Sequence, residues 1–190
     1  NEVVKEEKRS NYDNKPYGEL IPVVKRNIFK KHPYRWTTIG KMEHLDAATL
    51  EEFKAFNKKF YIPNNAVLVV AGDFNKEQAK TWIEKYFGSI KKGATINRTT
   101  YIEEPITQTI IATHEDPNIQ IPLVVTAYRT PSMKSRDARV LDMISTILSD
   151  GKSSRLYKKI VDDKKMALQI GAFTYNQEDY GTYIVYGLPQ

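Results

Sequence analysis

Phe60-Tyr61-Ile62-Pro63-Asn64-Asn65-Ala66-Val67-Leu68-Val69-Val70-Ala71-Gly72-Asp73-Phe74-Asn75-Lys76-Glu77-Gln78, with its amphipathic continuation to Gly88, is the stretch around which the rest of the chain is organised. Ala66 to Ala71 is an unbroken apolar run between the turn residues Pro63-Asn64-Asn65 and Gly72-Asp73. A short Val-rich run bounded in this way predicts a buried strand, covered on both faces. Asn75 offers a side-chain oxygen to the free amides of a helix start, Gln78 can reach back from three residues on, and Phe74 can staple onto Ala79. The predicted helix begins at Lys76, carries Ala79, Trp82, Ile83, Tyr86 and Phe87 on one stripe, and ends at Gly88, where a left-handed residue is favoured. Ahead of the strand, Asp46 is the predicted cap of another helix, with Leu45 and Leu50 as its staple and Leu50, Phe53 and Phe56 as its stripe. The local order is helix, strand, helix.

Outward from this unit, Glu2 to Tyr12 reads as a helix or the end of one, with Val3 and Val4 as its only apolar residues before Tyr12. Asp13 to Gly18 breaks it, Leu20 to Phe29 reads as a second helix despite Pro22, and His32 to Lys41 as loop. Lys91 to Thr100 is polar and without period, which predicts a linker. After Glu104-Pro105 the period changes: Thr107 to Thr113 and Pro122 to Tyr128 read as strands joined by the loop His114 to Asn118. Arg136 to Leu148 reads as a helix closed by Asp150-Gly151, Ser153 or Ser154 as the cap of a further helix, and Leu168 to Tyr175 and Thr182 to Leu188 as two last strands. The predicted class is α+β, an antiparallel-rich sheet with helices packed on one face. The divisions are 1–90, a linker at 91–104, and 105–190.

Composition bounds the function. The chain has 190 residues, 41% of them hydrophobic, with 12 Tyr and 7 Phe, which is enough for a packed core. No apolar run approaches the length of a membrane span, and the lack of cysteine excludes disulfides and Cys-ligated zinc. The formal charge of +6 favours acidic partners without naming them. The densest basic and aromatic stretch, Lys25 to Trp36, lacks any nucleic-acid fold signature and reads as a solvated segment with aromatic anchors in the core, so no nucleic-acid partner is expected. The chain opens on Asn1 and shows no signal peptide, which reads as an excised piece of something longer.

His32, His44 and His114 are isolated from one another and stand in no His-x-x-Glu-His or His-Glu-x-x-His frame, so no complete zinc site is legible; each reads as a loop or surface residue. His114-Glu115-Asp116 is too local to converge on one ion and is assigned no site. Neither a Gly-x-Ser-x-Gly elbow nor a phosphate loop is present. One acidic residue stands out. At roughly 100° per residue, Glu7 points within about 10° of the direction midway between Val3 and Val4. Glu6 lies roughly 110° away, with Glu2, Arg9 and Ser10. Glu7 therefore faces inward, and a carboxylate aimed at the buried side requires a cation or donors. Two readings stay open on this pattern: an ion pair with a Lys or Arg of a neighbouring element, which is the commoner case, and a metal ligand.

Glu2-Val3-Val4-Lys5-Glu6-Glu7-Lys8-Arg9, Asp13-Asn14-Lys15-Pro16-Tyr17-Gly18, Pro33-Tyr34-Arg35-Trp36 with Ile39-Gly40, Tyr61-Ile62-Pro63-Asn64-Asn65-Ala66 and Gly72-Asp73-Phe74 together resemble the insulinase (pitrilysin) family of zinc peptidases. The likeness is to short bacterial members akin to the mitochondrial processing peptidase. Asp150-Gly151-Lys152-Ser153-Ser154-Arg155-Leu156-Tyr157 resembles the matching segment of the family's second repeat. The resemblance implies two α+β repeats, both incomplete here: the end of repeat one and the start of repeat two. It implies zinc held by a His-x-x-Glu-His helix and, downstream, a Glu whose matching position is Glu7, with peptide substrates cut in an enclosed chamber. This chain lacks the His-x-x-Glu-His helix, so no catalytic residue is assigned to it and it is expected to be inactive alone. The Arg and Tyr by which active second repeats bind substrate match Val161 and Leu168, which points to a second peptidase subunit or a homodimer as the source of that pair. A non-catalytic scaffold subunit is the alternative. A periplasmic or cell-envelope location is what bacterial relatives suggest.

Overall fold

The computed structural model describes residues 1–190. They form two compact units, one of Gly40–Thr100 with Asn1, the other of Glu2–Ile39 with Tyr101–Gln190.

The first unit is built from helices α3 (Met42–Ala47), α4 (Leu50–Phe60) and α5 (Lys76–Phe87). The start of α4 departs from the sequence reading. Asp46 lies inside α3, and Thr49 is the cap: its hydroxyl accepts from the Glu52 amide at 3.2 Å, and the Glu52 carboxylate accepts from the Thr49 amide at 2.8 Å. Two reciprocal bonds satisfy two otherwise orphaned amides, where an isolated cap satisfies one. The start of α5 is as expected, with Asn75 Oδ1 accepting from the Gln78 amide at 3.0 Å. Its end is not, because Gly88 has a φ of −62° and continues the right-handed turn. Ala66 to Ala71 is extended but forms no ladder, and Val67 is 89% exposed. A strand needs a neighbour for its amides and carbonyls, and nothing else in residues 40–100 is a strand. The stripe Leu50, Phe53 and Phe56 is likewise exposed rather than buried.

The second unit holds the sheet. Helix α1 (Glu2–Lys8) runs on into a π-helical segment, Arg9–Asp13, and helix α2 (Leu20–Ile28) follows. Pro22 sits in the first turn of α2, where a missing amide breaks no helical bond. Strands β1 (Val124–Pro131), β2 (Ala167–Asn176) and β3 (Tyr180–Pro189) form an antiparallel sheet in the order β1-β3-β2. Ile184 of β3 pairs with Ala127 on one side and Phe173 on the other. These three residues meet Val24, Ile28 and the wholly buried Phe29, with Leu20, Ile21, Tyr34, Val125 and Tyr180 around them. Helix α6 (Arg136–Ser149) is capped by Ser135, and Ser149 at its end exchanges two hydrogen bonds with the backbone of Ala172, accepting at 2.8 Å and donating at 2.9 Å. That hydroxyl occupies part of the free edge of β2, where unpaired backbone groups would otherwise recruit another strand.

Two further expectations fail here. Thr107 to Thr113 forms no strand, again for want of a ladder partner, so the sheet has three strands rather than four. The hydroxyl of Ser154 caps no helix; it is buried without a hydrogen-bond partner, and the turn it opens winds into a second π segment, Tyr157–Asp163. The class is α+β, as read from the sequence.

Candidate functional site

Within α1 the charged side chains neutralise one another, with one exception. Lys5 reaches Glu2 at 2.8 Å, Arg9 of the π segment reaches Glu6 at 3.1 Å, and Lys8 reaches Asp13 at 2.6 Å. Glu7 makes no ion pair or hydrogen bond and is exposed, as are Val3 at 82% and Val4 at 36%. The inward face read from the sequence is thus an apolar strip carrying one unpaired carboxylate, and no Lys or Arg of this chain meets it. No three His, Cys, Asp or Glu side chains converge anywhere in the structure. The donors of this chain alone do not make a metal site.

Just beyond this helix the chain makes a strained turn. Tyr17 has a φ of +59°, a left-handed conformation that is costly for a bulky residue, and its amide donates to Asp116 Oδ2 at 3.0 Å. The same carboxylate accepts from the Asn118 amide at 2.9 Å through Oδ1; Asn118 Nδ2 donates to the Asp13 carbonyl at 2.9 Å, and the Tyr17 hydroxyl to the Ile121 carbonyl at 2.8 Å. The Asn118 amide holds the Asp116 carboxyl below its ordinary range, partial burial opposing and the Tyr17 amide adding to it. Gly18 is required by close approach, since a Cβ there would lie 2.4 Å from the Tyr12 carbonyl oxygen.

Deeper in this unit lies a buried carboxylate. Glu103 Oε1 accepts three consecutive backbone amides, from Lys30 at 2.8 Å and from Lys31 and His32 at 2.6 Å each. Its Oε2 lies 3.2 Å from Arg129 Nη1, and the guanidinium also donates to the carbonyls of Ile28 and Glu104 and stands over the rings of Phe29 and Tyr180. Burial pushes the Glu103 carboxyl up, but the amides of His32, Lys31 and Lys30, then Arg129, outweigh it and hold it below the usual carboxylate range. His32, read as a loop or surface residue, lies in a loop but is only 3% exposed: Nδ1 accepts from the Tyr34 amide at 3.1 Å, and Nε2 faces Asp179 Oδ2 at 3.1 Å. A Nδ1 that accepts leaves the proton on Nε2 to donate to Asp179. A cavity of about 240 Å³ opens beside Arg129, lined by Glu103, Lys31 and the segment from Glu104 to Ile110.

Sequence reasoning singled out Glu7 and missed this buried pair. One signal was available, because Arg129 follows Val125 and Ala127 in the inward phase of β1 and so had to meet a carboxylate. His44 lies exposed in α3 and His114 exposed in a loop. Val161 is half-buried in the second π segment, and Leu168 is exposed on β2.

An α+β arrangement of this kind recurs in known proteins. The profile described as the peptidase M16 inactive domain matches residues 47–190. The zinc protease PqqE of Helicobacter pylori is 35% identical over 181 residues, which cover 93% of this chain and 40% of that protein. The crystal structure of a protease from Helicobacter pylori superposes with a TM-score of 0.81 at 29% identity, over all of this chain and 46% of that one. The first half of the periplasmic protease PqqL from Escherichia coli shares the fold, with a TM-score of 0.70 at 16% identity over all of this chain and 41% of that one. This chain belongs to the peptidase M16 family, and it spans less than half the length of each of these relatives.

Proposed function

We propose that this chain is part of a zinc-dependent metalloendopeptidase that degrades or processes peptides in an enclosed chamber, with Glu7 as one zinc ligand. The carrying observation is that Glu7 alone among the charges of α1 has no partner, on the face that Val3 and Val4 leave uncovered. Zinc sites of hydrolases take three protein ligands and leave a fourth position for water. Two histidines and a general-base glutamate from a His-x-x-Glu-His helix outside this chain would complete the set, and this chain alone would not be catalytic. In this reading residues 1–90 close the first peptidase repeat, 91–104 link, and 105–190 open the second.

The similarity to the zinc protease PqqE supports zinc and proteolysis, and the shared fold with the periplasmic protease PqqL supports a periplasmic or envelope location. Val161 and Leu168 offer neither the cation nor the phenol that grips a peptide backbone, so a second peptidase subunit or a second copy would supply them. The same two residues favour one rival reading, a non-catalytic scaffold subunit. Metal content and turnover of a quenched peptide by the whole protein separate the two. Stoichiometric zinc with chelator-sensitive cleavage supports the peptidase, and a metal-free protein that is inert without a partner supports the scaffold.

A further inference from the structure

Unusual backbone occurs at two places in the second unit, around Tyr157–Asp163 with Lys165, and immediately behind α1. A π segment directly follows the turn that carries Glu7, and four residues past its end Tyr17 holds a positive φ. π-turns inside helices are frequent at functional sites, and a bulky residue in the left-handed region persists only where its surroundings over-determine it. Here the surroundings are a single loop about a hundred residues further along the chain. Asp116 takes the Tyr17 amide, the Ile121 carbonyl takes the Tyr17 hydroxyl, and Asn118 grips the Asp13 carbonyl at the last residue of the π segment. Asp13 in turn takes the ammonium of Lys8, the residue next to Glu7, at 2.6 Å. A continuous path of hydrogen bonds therefore runs from Asp116 to the helical turn of Glu7.

We propose that the loop His114 to Ile121 is a clamp that fixes the axial position and rotation of α1, and that Asp116 is a positioning residue for the Glu7 carboxylate. This deepens the reading of Glu7 as a zinc ligand and rests on it. About 100° of helix rotation accompanies each residue of register, so a slip of one residue at the π segment would turn Glu7 from its face to that of Glu6. The clamp prevents the slip from outside the helix, whose π continuation has no side-chain cap at Lys8 and is closed at its end by the Asn14 amide alone donating to the Arg9 carbonyl. It also ties the metal-ligand helix to residues that, in this reading, belong to the second repeat.

The test uses the whole protein, with zinc affinity read by chelator competition alongside kcat, KM and the melting temperature. Asp116→Ala should weaken zinc binding by about 10 to 100-fold, as loss of groups that orient ligands does, and lower kcat with KM unchanged. Asp116→Asn keeps an oxygen for the Tyr17 amide and should recover most of both. Asp163→Ala, which removes an exposed contact 3.9 Å from Lys159, should change neither. If Asp116→Ala lowers the melting temperature while the folded protein keeps wild-type zinc affinity and kcat, Asp116 is only structural and the proposal is overturned. Should Asp116→Ala not fold, Tyr17→Phe replaces it: it removes only the bond to Ile121, a several-fold loss of zinc affinity supports the clamp, and wild-type affinity overturns it. Failure of the underlying reading looks different, since Glu7→Gln would then retain zinc whatever Asp116 does.

Discussion

The carboxylate of Glu103 and the guanidinium of Arg129 meet at 3.2 Å with side chains 2% and 10% exposed, and each is also bonded to backbone of the segment from Ile28 to His32. The pair therefore fastens β1 and the chain entering it to the end of α2. Removing one member leaves the other charged and buried, which typically costs on the order of 3–5 kcal/mol. Glu103→Ala should destabilise the protein by about that amount in urea denaturation, well beyond Glu104→Ala, whose contact to Lys31 is exposed. Equal effects would contradict the account of the buried pair.

The same carboxylate sets a dependence on pH. Its folded value lies below the ordinary 4.5, so the unfolded chain binds the proton more readily. Its stabilising contribution is complete above the unfolded value and is lost as pH falls through the folded one. The stability difference between wild type and Glu103→Gln should accordingly be constant near neutrality and shrink as pH falls below about 4.5. A difference that grows on acidification would reverse the sign and refute the assignment.

Lys91 to Thr100 belongs to no helix or strand, and Asn64 bonds to its Gly93 and Ala94 while its Arg98 bonds to Asn65. Limited proteolysis of this chain should cut there first, because segments held by few contacts open most easily. First cleavage within Ala66 to Phe87 would show that the exposed apolar run is less protected than Lys91 to Thr100.

What was legible in the sequence follows from what is local. Asn75 with Gln78, and the helix over Arg136 to Leu148, needed no distant partner to be read, and the structure forms both helices, although Val140, Ile144 and Ile147 of the second are exposed. The Thr49–Glu52 capping box is equally local, but the Leu45–Leu50 staple pattern competes with it and points to Asp46 as the cap. Ala66 to Ala71 and Thr107 to Thr113 show the limit: an apolar run states a preference for strand, while a ladder depends on a neighbour that sequence period does not supply. Glu103 was beyond reach for a related reason. Besides Arg129, its partners are backbone amides 71 to 73 residues away, which any residue but proline could have provided.

This chain by itself should bind zinc weakly and cleave no peptide, because one carboxylate does not replace a set of two histidines and a glutamate. Dialysis against a mild chelator followed by metal analysis checks this. Stoichiometric zinc surviving dialysis would mean that a ligand set exists within residues 1–190 after all.

The central claim is that Glu7 points to the metal and Glu6 to solvent, and Glu7→Gln beside Glu6→Gln in the whole protein tests it most directly. The amide keeps the size of the side chain and removes the charge that an oxygen ligand contributes to zinc. Metal content by mass spectrometry and turnover of a quenched peptide should show Glu7→Gln inactive, with zinc affinity down by more than the roughly 10 to 100-fold typical of supporting residues. Glu6→Gln, which loses only the contact to Arg9, should remain near wild type. A dead Glu6→Gln beside a zinc-retaining Glu7→Gln would contradict the helical register, and full activity in both would contradict the assignment of a metal ligand to this helix.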